Sequence, residues 1–178
     1  MKLLKIVLGT IVSLVLVLLI LGLIAPNENH VERSIVIDAP VEDVRAKTMT
    51  FEAMLTWSPW ADRDPNQKVT IENDGQVGAL YTWDGEDSLV GAGSQTITAM
   101  SENEVVTHLH FIRPFESEAD ATTTLEPMGD QTKVTWTYHD HTPYPFNVMN
   151  LLFDMDEMLG PDFDLGVRRL KDVVERES

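Results

Sequence analysis

Cysteine is absent from the 178 residues. That excludes disulfides, thiolate-bound zinc, iron–sulfur clusters, a cysteine nucleophile and a lipidated cysteine anchor. Positive charge is scarce. Thirteen Lys and Arg stand against 29 Asp and Glu, for a formal net charge of −16. Two of those cations, Lys2 and Lys5, precede an apolar N-terminal run, so the remainder is more acidic still. Such a surface repels phosphate backbones and anionic headgroups, which argues against a nucleic-acid partner. Its ordinary consequence is solubility. The sequence also lacks a dinucleotide-binding Gly-x-Gly-x-x-Gly, a Gly-Lys-Ser/Thr phosphate loop, a Gly-x-Ser-x-Gly elbow and a His-Glu-x-x-His pair. It has no Asp-x-Asp-x-Asp-Gly calcium loop, no internal repeat and no low-complexity tract. No cofactor, metal or catalytic residue is therefore expected.

Long uncharged runs are also missing, with one exception. Ile6 to Ile24 gives 19 uncharged residues, mostly Leu, Val and Ile. As a helix this run is roughly 28 Å long, close to a bilayer's hydrocarbon thickness. It exceeds a signal-peptide core, and Leu23-Ile24-Ala25 is a poor small-x-small cleavage site. Residues 1–25 are read as a retained transmembrane anchor and 26–30 as a short linker. Lys2 and Lys5 favour a cytoplasmic N-terminus, placing the soluble domain on the extracytoplasmic side of the membrane. Residues 31–178 form that domain.

The soluble part alternates apolar and polar residues in strand fashion. Strands are expected over 31–38, 68–73, 78–83, 88–100, 104–112, 116–126 and 131–140. Pro, Gly, Asn and Asp turns join them into an antiparallel meander. Two short helices, from Ala39 to about Thr50 and from Phe51 to Trp57, bridge the first two strands. The last helical stretch is Pro143 to Glu175. In it Phe163, Val167, Leu170 and Val174 recur on one face. Gly160-Pro161 predicts a kink or break. A sheet with one apolar-faced helix implies that the sheet wraps that helix. Alternation puts Leu109, Phe111, Val134, Trp136 and Tyr138 on the helix-facing side, with Ala119 and Ala121 among them. Two alanines leave the middle of that face with little bulk. Gly91 and Gly93 read as a bulge or bend.

This element order resembles the helix-grip fold of the START and polyketide cyclase/dehydrase superfamily. The stretches that carry the resemblance are His30-Val31-Glu32-Arg33-Ser34-Ile35 with Ala39-Pro40, Trp57-Ser58-Pro59-Trp60 and Gly91-Ala92-Gly93. Arg113-Pro114-Phe115, Thr132-Lys133-Val134-Thr135-Trp136 and Gly160-Pro161-Asp162-Phe163 complete it. The chain is similar to that superfamily's membrane-anchored bacterial branch. The resemblance implies an α+β fold, with a seven-stranded antiparallel sheet gripping the C-terminal helix and an apolar cavity between them. It implies no catalytic residues, because the superfamily has no universal ones.

Several side chains could line such a cavity. Trp60, Trp83, Phe111 and Trp136 offer aromatic surface, and Met149 and Phe153 come from the last helix. Met149, Met155 and Met158 would make an adaptable wall. For each, ordinary core packing is the competing explanation. His108 and His110, with His139, His141 and Asp120, alternate onto the opposite, solvent face. They sit too far apart for shared metal ligation. Asp154, Asp156, Glu157, Asp162 and Asp164 read as a solvated helix face. The favoured function is a membrane-tethered domain that binds a small hydrophobic ligand, a lipid or an aromatic metabolite. Two alternatives stand beside it. One is a cyclase or dehydrase, with Tyr81, Tyr138 or Asp140 moving protons. The other is an envelope interaction or stress domain with a filled interior.

Overall fold

The computed structural model describes residues 2–87 and 90–177. An apolar helix α1 (Lys2–Gly22) leads into strand β1 (Glu28–Ile37). Helices α2 (Val41–Thr48) and α3 (Phe51–Met54) follow. Then come β2 (Lys68–Glu72), β3 (Leu80–Asp84), β4 (Ala92–Met100), β5 (Glu104–Arg113), β6 (Ser117–Met128) and β7 (Gln131–His141). A 3₁₀ turn (Phe146–Leu151) precedes helix α4 (Met155–Glu177). The seven strands form one antiparallel sheet in the order β1-β7-β6-β5-β4-β3-β2. This is the expected sheet gripping its last helix. Among the described residues, α1 is the one helix long and apolar enough to cross a membrane.

The boundaries differ from expectation in three places. β1 begins at Glu28, so 28–30 are strand rather than linker. β4 begins at Ala92, and the expected strand start at Ser88 lies outside the described residues. Gly91 sits ahead of β4 at φ 61°. A Cβ there would lie 2.1 Å from the Arg113 carbonyl oxygen, so only glycine fits. The sheet register shifts between Ala92 and Gly93, the expected bulge.

The largest departure is the final helix. α4 runs through Gly160-Pro161 without a break. The break lies upstream, at Asp154. Its carboxylate Oδ1 accepts from the Asp156 N–H at 2.8 Å, which makes it the helix cap. Residues 143–153, expected as helix, turn away to pack on the end of α1. Pro143 and Pro145 each remove a backbone donor there. Asn147 Nδ2 donates to the Gly22 and Ala25 carbonyls, and Asn150 Nδ2 donates to that of Pro26. These amides satisfy the last carbonyl of α1 and two in the turn that follows it.

α4 is held to the sheet by burial and by one cation. Phe163, Val167, Leu170 and Val174 are buried against Val31, Ile37, Val44, Leu125 and Val134. On the flank, Arg33 of β1 donates through Nε to Asp164 (3.0 Å) and through Nη1 to Asp156 (2.8 Å). A Cβ on residue 160 would sit 2.1 Å from Arg33 Nη2, so Gly160 makes room for the guanidinium. The acidic helix face is therefore partly a set of ion-pair partners. Asp162 meets Arg63, and Asp62 meets Arg169 of α4.

The hydrogen bonds from Arg33 hold the Asp156 carboxyl below its ordinary range. Lys171 does the same for Glu175, and the Asn66 backbone N–H leads for Asp64. A carboxylate with a depressed folded-state pKa adds stability above its unfolded value, near pH 4, and loses it as pH falls through the folded value. The urea midpoint of the full chain in detergent should therefore drop from pH 5 to pH 3. Asp156→Asn should show a smaller drop, because it has already lost one of these groups. An identical drop in the variant would remove Asp156 from the acid response.

Candidate functional site

The interior is filled at one end and hollow at the other. At the far end of the sheet, Ile37, Val44, Leu125 and Val134 meet the C-terminal half of α4 in a closed core. Toward the α1 end, a cavity of about 250 Å³ lies between the sheet and the first turns of α4. The cause is side-chain size. Ala121 of β6 leaves a recess beside Tyr138, its neighbour in register. The facing α4 residues, Leu159 and Phe163, do not reach across it.

Two aromatic groups flank the recess. In the first, Phe163 stacks on Trp136 at 4.1 Å, while Trp57 and Trp60 meet Trp136 edge-on at 5.1 and 5.8 Å. In the second, Tyr81 stacks on Trp83 at 5.5 Å, and Phe111 meets Trp83 edge-on at 5.8 Å. Two glycines let these rings lie flat. A Cβ on Gly166 would sit 2.6 Å from Trp136, and one on Gly93 would sit 2.5 Å from Trp83. The second glycine therefore has a packing role as well as a place in the bulge.

Most polar groups in the lining are paired. Ser58 and Gln67 belong to it, and Gln67 Nε2 donates to the Trp60 and Ala61 carbonyls. Gln95 Nε2 donates to Thr107 Oγ1 at 2.7 Å, and that hydroxyl donates to the Ala121 carbonyl. Trp83 Nε1 donates to the Val90 carbonyl. The Tyr138 hydroxyl donates to Asp140 Oδ2 at 2.9 Å, and the other oxygen of that carboxylate accepts from Asn29. Burial, with the Asp140 charge and hydrogen bond added, raises the Tyr138 pKa. Burial alone pushes the Tyr81 phenol up to about 12. Tyr81 therefore stays protonated near neutral pH and has no hydrogen-bond partner among the described residues. It lines the cavity as a protonated phenol, able to donate a hydrogen bond. Asp140 does not line the cavity. Among the described residues, no Asp, Glu, His or Lys does. Arg113 is at the rim, paired with Asp84 and donating to the Gly85 carbonyl.

Of the six side chains expected to line a cavity, Trp60, Trp83, Phe111 and Trp136 do so. Met149 and Phe153 do not. They belong to the segment packed on α1, and they are 45% and 53% exposed. Met155 packs on the core, and Met158 is exposed. Leu109 lines the cavity from the helix-facing side that alternation assigns, and Leu159, Gln95 and Met54 join it without having been expected there. Leu159 was within reach, because the Phe163, Val167, Leu170 stripe extends back four residues to it. Gln95 carried no such signal, since a polar residue on a strand face gives no sign of which side is hollow. On the convex face His108 meets Asp120 at 2.9 Å, and His139 lies 3.6 Å from Glu28. No group of three metal-ligating side chains converges among the described residues.

A family model described as polyketide cyclase/dehydrase and lipid transport matches residues 28–175. No curated protein matches the chain. Among solved structures, norcoclaurine synthase from Thalictrum flavum superposes with a TM-score of 0.60 at 12% identity, covering 87% of this chain and 90% of its own. Ara h 8.0201 gives 0.54 at 15% identity, covering 84% and 99%. The di-domain aromatase/cyclase StfQ of the steffimycin pathway gives 0.62 at 10% identity, covering 85% of this chain and 52% of that one. Identities this low speak to the fold alone, and the fold is the helix grip.

Proposed function

Since the chain belongs to the polyketide cyclase/dehydrase and lipid transport family, we propose that it is a membrane-tethered binding domain for a compact hydrophobic ligand held between the sheet and α4. The carrying observation is the aromatic cavity, whose described lining holds no acid, histidine or lysine. Its volume of about 250 Å³ is just under the usual range for drug-sized ligands, about 300–1,000 Å³. It suits a one- or two-ring aromatic or a short acyl chain, and not a whole two-chain lipid. Trp60, Trp83, Phe111 and Trp136 supply the apolar contact. Tyr81 donates one hydrogen bond, and Gln95 offers a second polar contact. Helix α1 is the tether, with Lys2 and Lys5 on the cytoplasmic side and the domain on the other.

Binding and not acid–base chemistry is what these groups support. A phenol held near pKa 12 is a poor proton acceptor at neutral pH, where a useful catalytic pKa lies near the working pH. The Tyr138 hydroxyl is already spent on Asp140.

Full-length protein in detergent should bind 2-naphthol saturably, at one site, as read by tryptophan fluorescence. 1-Octanol should compete. Tyr81→Phe should weaken 2-naphthol by about three- to tenfold, the worth of one hydrogen bond. Its stability should be unchanged, because the hydroxyl has no partner among the described residues to lose. Folded protein that binds neither compound would overturn the reading.

A further inference from the structure

The strand directions gather one end of each of the seven strands at the same end of the domain. β1 enters there, because Glu28 pairs with His141, where β7 leaves. β6 begins there beside the end of β5, with Ser117 opposite Phe111. β3 ends and β4 begins there, with Asp84 opposite Ala92. β2 begins there too, with Lys68 opposite Asp84. The cavity rim, which includes Val90, Arg113 and Pro114, is therefore at the end of the domain where α1 joins it.

The same end carries exposed apolar side chains. Phe115, next to Pro114 at the rim, is 81% exposed. Phe146 and Leu152, on the segment tied to the Gly22 and Ala25 carbonyls of α1, are 69% and 72% exposed. Tyr144, which would be 3.1 Å from a Cβ on Gly22, and Met158 are exposed as well. Met158 adjoins Leu159, which lines the cavity. Solvent-facing aromatics and leucines grouped this way mark a contact surface. Here the occupant follows from the attachment. If α1 crosses a bilayer, its C-terminus lies in the headgroup region, and the segment bonded to that terminus lies there too.

We infer that Phe115, Phe146 and Leu152 insert into the interface of the bilayer that α1 spans, so that the cavity opens onto lipid and takes its ligand from the membrane. This rests on the tethered reading of α1. Glu116, Asp154 and Glu157 share that end of the domain and are exposed. Charge attraction to anionic lipid therefore does not hold the face down, and the matching surface is zwitterionic. Insertion comes from apolar burial, at a depth of about 5–10 Å.

The absence of native cysteine makes the test direct. Single cysteines carrying an environment-sensitive nitrobenzoxadiazole label are placed in the full chain as Phe115→Cys, Phe146→Cys and Leu152→Cys. Leu14→Cys marks the middle of α1. Asp130→Cys marks the β6–β7 turn, roughly 33 Å away along β7. Each protein is reconstituted in phosphatidylcholine vesicles with bromines on the upper or the lower acyl chain. The three rim labels should be blue-shifted and lose emission to upper-chain bromines. Leu14→Cys should lose it to lower-chain bromines, and Asp130→Cys to neither. Quenching at Leu14→Cys with the rim labels as unaffected as Asp130→Cys would overturn the inference and leave the tether standing. Loss of quenching at Leu14→Cys would overturn the tether and the inference with it.

Discussion

Trp136→Ala is expected to cost the helix-grip domain about 3–5 kcal/mol, the range for removing a large buried aromatic. Trp136 is the hub of the first aromatic group. It stacks on Phe163 at 4.1 Å and takes the edges of Trp57 and Trp60. Gly166 is kept bare for it, since a Cβ there would sit 2.6 Å from the ring. Truncation leaves a void that neither the sheet backbone nor α4 can close, because Arg33 and the Val167–Val174 stripe hold the helix in place. Thermal unfolding of full-length protein in detergent, followed by near-UV circular dichroism, should show a midpoint lower by about 10 °C for a domain of this size. A loss below about 1 kcal/mol, the level of an ordinary substitution, would mean that the ring cluster does not hold α4 to the sheet.

Ala121→Phe should do the opposite. It should abolish binding without weakening the fold. The Ala121 side chain faces the recess from β6, and a phenyl group placed there takes up much of the 250 Å³. Filling a void restores dispersion contacts that its lining had lost, so stability should hold or rise slightly. Affinity for 2-naphthol should fall by more than about tenfold, or 1.4 kcal/mol. Ala121→Leu should give a weaker version of both effects and guards against a ring that fits badly. Unchanged affinity in both variants, with both folded, would place the ligand outside the space between sheet and helix.

These two substitutions act on neighbouring residues of adjacent strands and pull in opposite directions. Trp136 and Ala121 both face α4. One fills its space and the other leaves it empty. The domain thus combines a solid half, which supplies stability, with a hollow half, which holds the cavity. The solid half lies away from α1 and the hollow half next to it. A ligand arriving from a bilayer would meet the hollow end first.

Much of this was legible in the chain. Strand alternation named the helix-facing residues, including Trp136, Phe111 and Ala121, because the two-residue period of a strand is a local property. The C-terminal half of α4 was readable for the same reason, from its Phe163, Val167, Leu170 and Val174 stripe. The 19 uncharged residues identified α1 by length and composition. The stretch 143–153 was misread because its apolar residues recur loosely enough to pass for a helix face. What sends Met149 and Phe153 outward is a long-range contact. Asn147 caps α1, and Asn150 ties the turn after it, more than a hundred residues earlier in the chain.

The sequence alone determined that a seven-stranded meander would wrap a C-terminal helix, and that small residues would sit in the middle of its inner face. Both follow from side-chain period and size, which are read one residue at a time. Only the tertiary structure decided that the alanine recess stays open, because that depends on how far Leu159 and Phe163 reach from the facing helix. It alone decided that the cavity rim and the exposed Phe115, Phe146 and Leu152 share the end where α1 attaches, since antiparallel pairing brings together chain ends that are far apart in sequence. And it alone decided that Tyr138 gives its hydroxyl to Asp140 while that of Tyr81 has no partner among the described residues, a difference of neighbours and not of residue type.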